Sequence, residues 1–163
     1  MQLGDKLTAR NARLGVIGLG YVGLPLAHAM HEGGFTVLGF DIDPRKIEAL
    51  KKGENYLRHL GEAMVKDLSA SRRFSSTTDF SRLAEADAII VCVPTPLGRH
   101  QEPDLSFVVN SGRDIGRTLR AGQLVVLEST SYPGTTREVC LPILEAAGGR
   151  CGRDFFLVFS PER

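Results

Sequence analysis

The sequence predicts an α/β fold in which a doubly wound, mainly parallel sheet of about six strands carries helices on both faces. Two observations predict it. Short runs rich in β-branched residues alternate with longer segments of helical periodicity along the chain. The clearest run, "DAIIVCVP", is apolar throughout, as expected of a strand buried on both faces. Such alternation is typical of a parallel sheet wrapped by helices.

The apolar runs define the strands in chain order. The predicted strands cover residues 13–18, 35–41, 73–79, 87–94, 123–130 and 155–160. The third, "RFSSTTD", is short and polar and is the weakest of the six.

Residues with helical spacing lie between these strands. The predicted helices cover residues 22–32, 44–52, 57–70, 104–119 and 136–147. Local signals support several ends: Gly33 stops the first helix, Pro44 suits the first turn of the second, and Gly53 terminates it. Thr78 or Asp79 could cap a further short helix before the fourth strand.

Composition bounds the class of protein. The chain has 163 residues, enough for one domain, with 42% hydrophobic and 24% charged residues and a net charge of +1. This balance gives no electrostatic reason to expect nucleic acid or a membrane surface as a partner. Residues 1–12 form a polar N-terminal extension without an apolar signal core, and no apolar run approaches roughly 20 residues. We therefore expect a cytoplasmic protein whose main domain covers residues 13–163.

The cysteines and histidines indicate neither disulfides nor a metal site. The three cysteines, Cys92, Cys140 and Cys151, form no C-x-x-C pair, and the four histidines have no ligand-like spacing. Cys92 lies within an apolar run and is interpreted as a small buried hydrophobic residue. No metal is predicted.

The stretch "LGVIGLGYVG" contains a G-x-G-x-x-G motif at Gly18, Gly20 and Gly23. It directly follows the first predicted strand and opens a helix, as a dinucleotide-binding turn requires. Gly18 allows the tight turn, Gly20 lets backbone approach a pyrophosphate, and Gly23 lets the helix pack close to the strand. The free N–H groups at the start of the helix favour an anion. This context predicts a Rossmann-type domain.

Asp41 ends the second predicted strand, where an acid can accept hydrogen bonds from the adenosine ribose. A carboxylate there would repel a 2'-phosphate, so NAD is predicted as the cofactor. Arg45 and Lys46 lie close by and could tolerate that phosphate, so NADP is an alternative cofactor. FAD is a further, minor alternative.

Five motifs in chain order, "GLGYVGLPLA", "FDID", "VCVPTP", "ESTSYPGTT" and "FSPER", resemble those of the UDP-glucose/GDP-mannose dehydrogenase family. The resemblance implies an NAD-dependent oxidoreductase acting on CH–OH groups, which oxidises a nucleotide sugar at C6 to a carboxylate in two steps. It also implies a role in polysaccharide biosynthesis. Within the family, "PTPLGRHQEPDLSFV" looks most like the branch that acts on UDP-N-acetylglucosamine or UDP-N-acetylmannosamine.

The resemblance also indicates which part of a family member this chain corresponds to. Family members are more than twice as long, with a central helix and a second domain that closes over the substrate. Their lysine and nucleophilic cysteine lie downstream of "SPE", and no residue here matches either. The resemblance therefore implies a truncated cofactor domain that binds NAD without turning over. It implies a homo-oligomer for the full-length enzyme, whereas this part alone could be a monomer.

The resemblance assigns individual residues. It implies that Thr130 helps to hold the hydrolytic water and that Glu162 is the active-site glutamate. Lys46 corresponds to a basic residue near the adenosine. The implied cofactor-binding residues are Gly18, Leu19, Gly20, Tyr21, Val22, Gly23, Asp41, Lys46, Val93, Pro94, Thr95, Pro96, Ser129 and Thr130. Taken without the family, "PTP" reads as a rigid turn and the hydroxyls as capping groups.

Two alternatives stay open from the sequence. A β-hydroxyacid-type dehydrogenase also begins with a glycine turn, "GLGxMG", but Tyr21 and Val22, "ESTSYPGTT" and "SPER" argue against it. A non-catalytic NAD-binding module, complete at this length, would share the turn and Asp41.

Overall fold

A computed structural model describes residues 2–58, 60–98 and 102–161. Six strands form one sheet in the order β3-β2-β1-β4-β5-β6, and all five pairings between them are parallel. The strands are β1 (Arg13–Ile17), β2 (Thr36–Phe40), β3 (Phe74–Thr77), β4 (Ala88–Val91), β5 (Leu124–Leu127) and β6 (Phe156–Phe159). The predicted fold class is confirmed, and each strand is shorter than predicted.

The helices cover the sheet in two layers. They are α1 (Leu3–Thr8), α2 (Gly23–Glu32), α3 (Pro44–Lys52), α4 (Glu62–Ala70), α5 (Ser106–Thr118) and α6 (Leu141–Glu145). A 3₁₀ helix, Phe80–Glu85, precedes β4, and a π-helical turn, Thr136–Cys140, precedes α6. Among the described residues, these elements and the sheet make up the regular structure.

The core is divided between the two faces of the sheet because successive side chains of a strand point in opposite directions. Val16 packs in the cluster formed with α2, α3 and α4, whereas Ile17 packs in the cluster formed with the 3₁₀ helix, α5 and α6. Leu50 and Ile115 are each 1% exposed and anchor α3 and α5 to these clusters. Burying such a side chain contributes about 2 kcal/mol. The sheet is therefore doubly wound, as predicted.

Two predicted helices differ from the observed ones. The helix predicted at 57–70 begins only at Glu62, because Asn55 accepts a hydrogen bond from the backbone N–H of Leu57 and donates one to the carbonyl of Leu60. These bonds hold the preceding residues in a turn.

The helix predicted at 136–147 starts as the π-helical turn, and α6 follows it. Pro142 lies in the first turn of α6 and has no N–H to donate, so an α-helical bond is lost there. Of the two proposed caps for the 3₁₀ helix, Asp79 is confirmed, since its side chain accepts from the N–H of Ser81 at 3.0 Å.

The polar N-terminal segment contains a helix that periodicity did not predict. None of the residues of α1 is buried. Lys6 nevertheless contacts the amino edge of the sheet. Its Nζ lies 2.6 Å from Oδ1 of Asp87, the residue just before β4. A contact between residues 81 positions apart thus holds α1 in place.

Candidate nucleotide-binding site

A cleft of about 580 Å³ opens at the carboxyl edge of the sheet, between the loops that follow β1, β2, β4 and β5. The strand order reverses between β1 and β4, and ligands of open α/β sheets bind at such a switch point. Most of the residues assigned from the sequence line the cleft: Gly18, Gly20, Tyr21, Val22, Asp41, Lys46, Val93, Pro94, Thr95, Ser129 and Thr130.

The three glycines of the motif have different structural reasons. Gly18 has φ +92°, and a Cβ there would lie 2.6 Å from the carbonyl oxygen of Cys92. A Cβ on Gly23 would lie 1.8 Å from the carbonyl oxygen of Gly18. A Cβ on Gly20, in contrast, would meet no atom within 4 Å, and Gly20 lines the cleft. Gly18 and Gly23 therefore serve the turn itself, while Gly20 leaves its backbone open to a ligand.

Leu19, Gly23 and Pro96 are assigned from the sequence but do not line the cleft. The Leu19 side chain is 0% exposed and belongs to the core under α2, α3 and α4. Its N–H donates to Oδ2 of Asp41 at 2.9 Å, and its carbonyl accepts from the hydroxyl of Tyr56 at 2.6 Å. Burial, together with the nearby charge of Asp41, raises the pKa of Tyr56. Leu19 thus supports the turn from beneath.

Asp41 follows β2 directly and is only 5% exposed. Its Oδ2 accepts from the N–H of Leu19 and from Nζ of Lys46, the latter at 2.8 Å. Its Oδ1 accepts from the N–H of Asp43 at 3.0 Å. Because a carboxylate oxygen can accept two hydrogen bonds, Oδ1 keeps capacity for a ribose hydroxyl from the cleft. The carboxylate is rigidly placed and accessible from one side.

Asp43 and Arg45 form a second acid–base pair beside Asp41. Asp43 caps α3 by accepting from the N–H of Arg45 at 2.9 Å, and its carboxylate also binds the guanidinium, with Nη2 at 2.8 Å from Oδ2. The side-chain hydrogen bond from Arg45, followed by the backbone one, lowers the pKa of Asp43 to about 2. The cation that could have accommodated a 2'-phosphate is therefore already engaged by an acid.

At the other end of the cleft, the loops after β4 and β5 are joined. The hydroxyl of Thr95 donates to the carbonyl of Thr130, and that of Ser129 donates to the carbonyl of Val91 at 3.2 Å. Thr130 is exposed at the cleft wall. Glu162, its predicted catalytic partner, lies outside the described residues, so the pairing of these two residues stays a prediction.

Several lining residues were not predicted. One face of α5 contributes Phe107, Asn110, Ser111 and Asp114, and Phe80, Ile42 and Glu128 complete the wall. The helical spacing of the α5 residues (i, i+3, i+4, i+7) was visible in the sequence, but periodicity cannot tell a face turned to a cleft from one turned to solvent.

Cys92 was interpreted as a buried hydrophobic residue; it does pack against the core cluster under α2, α3 and α4, but the expected full burial was wrong. It is only partly buried, lines the cleft, and has its Sγ 3.9 Å from Oε2 of Glu128. The physical reason is its position just past the end of β4, where the strand gives way to the loop that borders the cleft. Cys140, in contrast, is buried, and burial raises its pKa to about 11.

Within the described parts of the chain, no group of three or more histidine, cysteine or acidic side chains could hold a metal ion. Among the same residues, none of the helices is long and apolar enough to span a bilayer. The expectation of a cytoplasmic location stays a prediction.

An all-parallel sheet with a glycine turn after β1, an acid after β2 and a cleft at the switch point defines a Rossmann-type dinucleotide-binding domain. The chain belongs to the UDP-glucose/GDP-mannose dehydrogenase family, since residues 12–163 match the model of that family's NAD binding domain. The resemblance inferred from the motifs is thus confirmed, and so is NAD as the cofactor.

Individual relatives place the chain more finely. It is 41% identical over 155 residues to a UDP-N-acetyl-D-glucosamine 6-dehydrogenase of Pseudomonas aeruginosa, covering 94% of this chain and 36% of the relative. It is 34% identical to a UDP-N-acetyl-D-mannosamine dehydrogenase of Pyrococcus horikoshii, covering 93% of this chain and 36% of that protein. The chain therefore spans little more than a third of the length of these relatives.

Solved structures of nucleotide-sugar dehydrogenases have the same fold over nearly the whole of this chain. The ternary complex of a GDP-mannose dehydrogenase from Pseudomonas aeruginosa superposes with a TM-score of 0.88 at 32% identity, covering 93% of this chain and 36% of that one. An NDP-N-acetyl-D-galactosaminuronic acid dehydrogenase from Methanosarcina mazei Go1 also gives a TM-score of 0.88 at 36% identity, covering 100% of this chain and 38% of that one.

Proposed function

We propose that the chain is the NAD-binding part of a nucleotide-sugar 6-dehydrogenase whose substrate is a UDP-N-acetylated hexosamine. The observation that carries the proposal is the placement of the open Gly20 backbone and the Asp41 carboxylate in one cleft. The substrate class is supported by the relatives named for UDP-N-acetylglucosamine and UDP-N-acetylmannosamine.

The residues present fit the dinucleotide. The turn after Leu19 and the start of α2 offer backbone N–H groups to the pyrophosphate, whereas the N–H groups of Gly18 and Leu19 already donate to the carbonyl of Phe40 and to Asp41. Asp41 accepts from the adenosine ribose, and Lys46 adds a positive charge beside it. The opposite end of the cleft, which would hold the nicotinamide, is bordered by Val93, Pro94, Thr95, Ser129 and Thr130. When bound, NAD supplies the acceptor for the hydride removed from C6 of the sugar.

We propose that NAD is preferred over NADP for an electrostatic reason. Asp41 and Asp43 both line the adenosine side of the cleft. Arg45 is bound to Asp43 through two side-chain hydrogen bonds, and Lys46 is bound to Asp41. A 2'-phosphate would meet two carboxylates whose cations are already paired.

The catalytic roles are also proposals. Thr130, exposed at the cleft wall, would hold the hydrolytic water that the family resemblance implies, and Glu162 would activate it. The family resemblance implies that a lysine and a nucleophilic cysteine downstream of "SPE" complete the catalytic site. We therefore propose that the chain binds NAD but that sugar oxidation needs further protein sequence, in an enzyme that is a homo-oligomer.

Calorimetry with NAD on the chain tests the proposal. We expect binding with a Kd in the micromolar to millimolar range. Gly20→Ala should fold like the wild type, because its Cβ meets no atom within 4 Å, yet weaken NAD binding at least tenfold by obstructing the approach of the pyrophosphate. Gly61→Ala is the matched control, since it also has open space and does not line the cleft.

No binding of NAD at millimolar concentration would refute the cofactor site. The chain should also produce no NADH from UDP-N-acetylglucosamine or UDP-N-acetylmannosamine, followed by absorbance. Turnover by these 163 residues would contradict the proposal that the catalytic machinery is incomplete. Substrate identity is tested by adding both UDP-sugars and GDP-mannose to a catalytically active enzyme that contains this domain.

A further inference from the structure

The cleft has a second wall, on α5, that faces the loops after β1 and β2. Phe107, Asn110, Ser111 and Asp114 project from one face of this helix into the cleft. Neither the glycine motif nor the acidic residue after β2 accounts for these side chains. They form a mixed surface of one aromatic ring and three polar groups.

This wall belongs to the same cleft as Asp41 and is connected to β2 through the 3₁₀ helix. The helix α5 packs against the 3₁₀ helix Phe80–Glu85. The ring of Phe80 lines the cleft and lies 5.7 Å from the ring of Phe40, the last residue of β2. Asp41 comes next in the chain. A base attached to a ribose held by Asp41 would therefore share the cleft with Ile42, Phe80 and the α5 face, all of which line it.

Among the three polar groups on this wall, Asn110 is the one whose amide offers both a donor and an acceptor to a base, since an ionised carboxylate such as Asp114 only accepts. The hydroxyl of Ser111 donates to the carbonyl of Phe107 at 2.8 Å, and Asp114 pairs with Arg117 at 2.7 Å. Asn110 is exposed, and its amide makes no hydrogen bond to the residues that the structure describes. A carboxamide presents one acceptor and two donors side by side.

We propose that Asn110 recognises the amino edge of the adenine of NAD, with Phe107 as the apolar surface beside the base. Adenine offers an amino donor at N6 and an adjacent ring-nitrogen acceptor, the pattern that asparagine side chains match in a bidentate manner. The inference rests on the proposed binding of NAD in this cleft and adds a residue that determines base specificity.

The test compares NAD with 1,N6-etheno-NAD, in which a two-carbon bridge joins N1 and N6 and removes every N–H at that edge. Binding to the 163-residue chain is measured by calorimetry for NAD and by fluorescence for the analogue. We expect the wild type to prefer NAD by about tenfold, from the lost hydrogen bonds. Asn110→Ala should weaken NAD binding roughly fivefold and bring the two ligands within about twofold of each other.

Arg113→Ala is the control, because Arg113 is exposed on α5 and does not line the cleft. It should keep the wild-type preference. Equal binding of the two ligands by the wild type, or a tenfold preference that persists in Asn110→Ala, would overturn the role of Asn110 while leaving the NAD site intact. Failure of the wild type to bind either ligand would overturn both the role and the site.

Discussion

Two buried aspartates lie at opposite edges of the sheet and have nearly the same surroundings. Asp41 follows β2 at the carboxyl edge, and Asp87 precedes β4 at the amino edge; they are 5% and 6% exposed. Each accepts three hydrogen bonds from the residues that the structure describes. For Asp41 these come from Lys46 and two backbone N–H groups, and for Asp87 from Lys6, Arg120 and the backbone N–H of Arg13.

The difference between them is access and charge. Asp41 lines the cleft, whereas Asp87 does not and is covered by α1 and Arg120. Asp87 has two cations and Asp41 has one. Burial by itself would raise the pKa of Asp87, but the hydrogen bonds from Lys6, Arg13 and Arg120 outweigh it and lower the pKa to about 2. A buried acid–lysine pair is therefore not a sign of function unless a ligand can reach it.

The largest effect expected from this comparison is on stability. Asp87→Ala removes the carboxylate that pairs with Lys6 and Arg120 and that accepts from the N–H of Arg13, so we expect a loss of about 3 kcal/mol in the free energy of unfolding. Urea unfolding measures it. NAD affinity, measured below the unfolding transition, should be unchanged, and a weaker affinity would show that the two edges are coupled.

Asp41→Ala should act on the ligand. We expect NAD binding to weaken by about 1 to 3 kcal/mol, because charge-assisted hydrogen bonds to the ribose are lost. Calorimetry with NAD on both Asp41→Ala and Asp87→Ala separates the loss of ligand contacts from general destabilisation. The variant should also be less stable, since the N–H of Leu19 loses its acceptor. An affinity equal to that of the wild type would remove Asp41 from the site.

The sequence predicted Asp41 and not Asp87 for a physical reason. Asp41 lies at a fixed distance from the glycine turn because a helix and a strand of standard length separate them. Asp87 depends on Lys6, 81 residues away, and on Arg120, and no local pattern carries such a pairing. The central strands were predictable for the same reason as Asp41, since β4 is buried along its whole length and reads as one apolar run.

The sequence did not predict the cleft residues on α5, because a polar helix face can turn either to a cleft or to solvent. The apolar residues of α5, such as Val108 and Ile115, indicated which side packs on the sheet. The sequence did not show that Asn110 and Asp114 face a cleft, because that depends on where the 3₁₀ helix lies beside α5. The start of α4 was likewise decided by side-chain bonds of Asn55 that propensity does not report.

Acid should destabilise the fold in part through Asp87 at the amino edge. The folded-state pKa of Asp87, about 2, is below its usual value near 3.8, so the carboxylate stabilises the fold above about pH 4 and this contribution is lost as the pH falls toward 2. Lys6 and Arg120 are 31% and 39% exposed, and solvent screening reduces the difference to about 1 kcal/mol. Urea unfolding of the wild type and Asp87→Asn between about pH 5 and pH 2.5 measures it. If the free energy of unfolding fell equally with pH in the wild type and in Asp87→Asn, Asp87 would not be the source of the acid sensitivity.

The smallest effects come from the two lysines, which are matched closely enough to make the comparison sharp. Lys6 and Lys46 are both 31% exposed, and their Nζ atoms lie 2.6 and 2.8 Å from a buried carboxylate. Lys6→Met should lower stability by about 0.5 kcal/mol and leave NAD affinity unchanged, whereas Lys46→Met should weaken NAD by about 0.5 kcal/mol because a positive charge beside the anionic ligand is lost. Both effects should shrink in about 1 M salt, since partly exposed charges are screened. If Lys6→Met changed NAD affinity as much as Lys46→Met did, the charge of the whole protein would be acting and the cleft would not be the cause. If only Lys46→Met weakens NAD binding, the Lys46–Asp41 and Lys6–Asp87 pairs have the same geometry but different functions, because only the first borders the cleft.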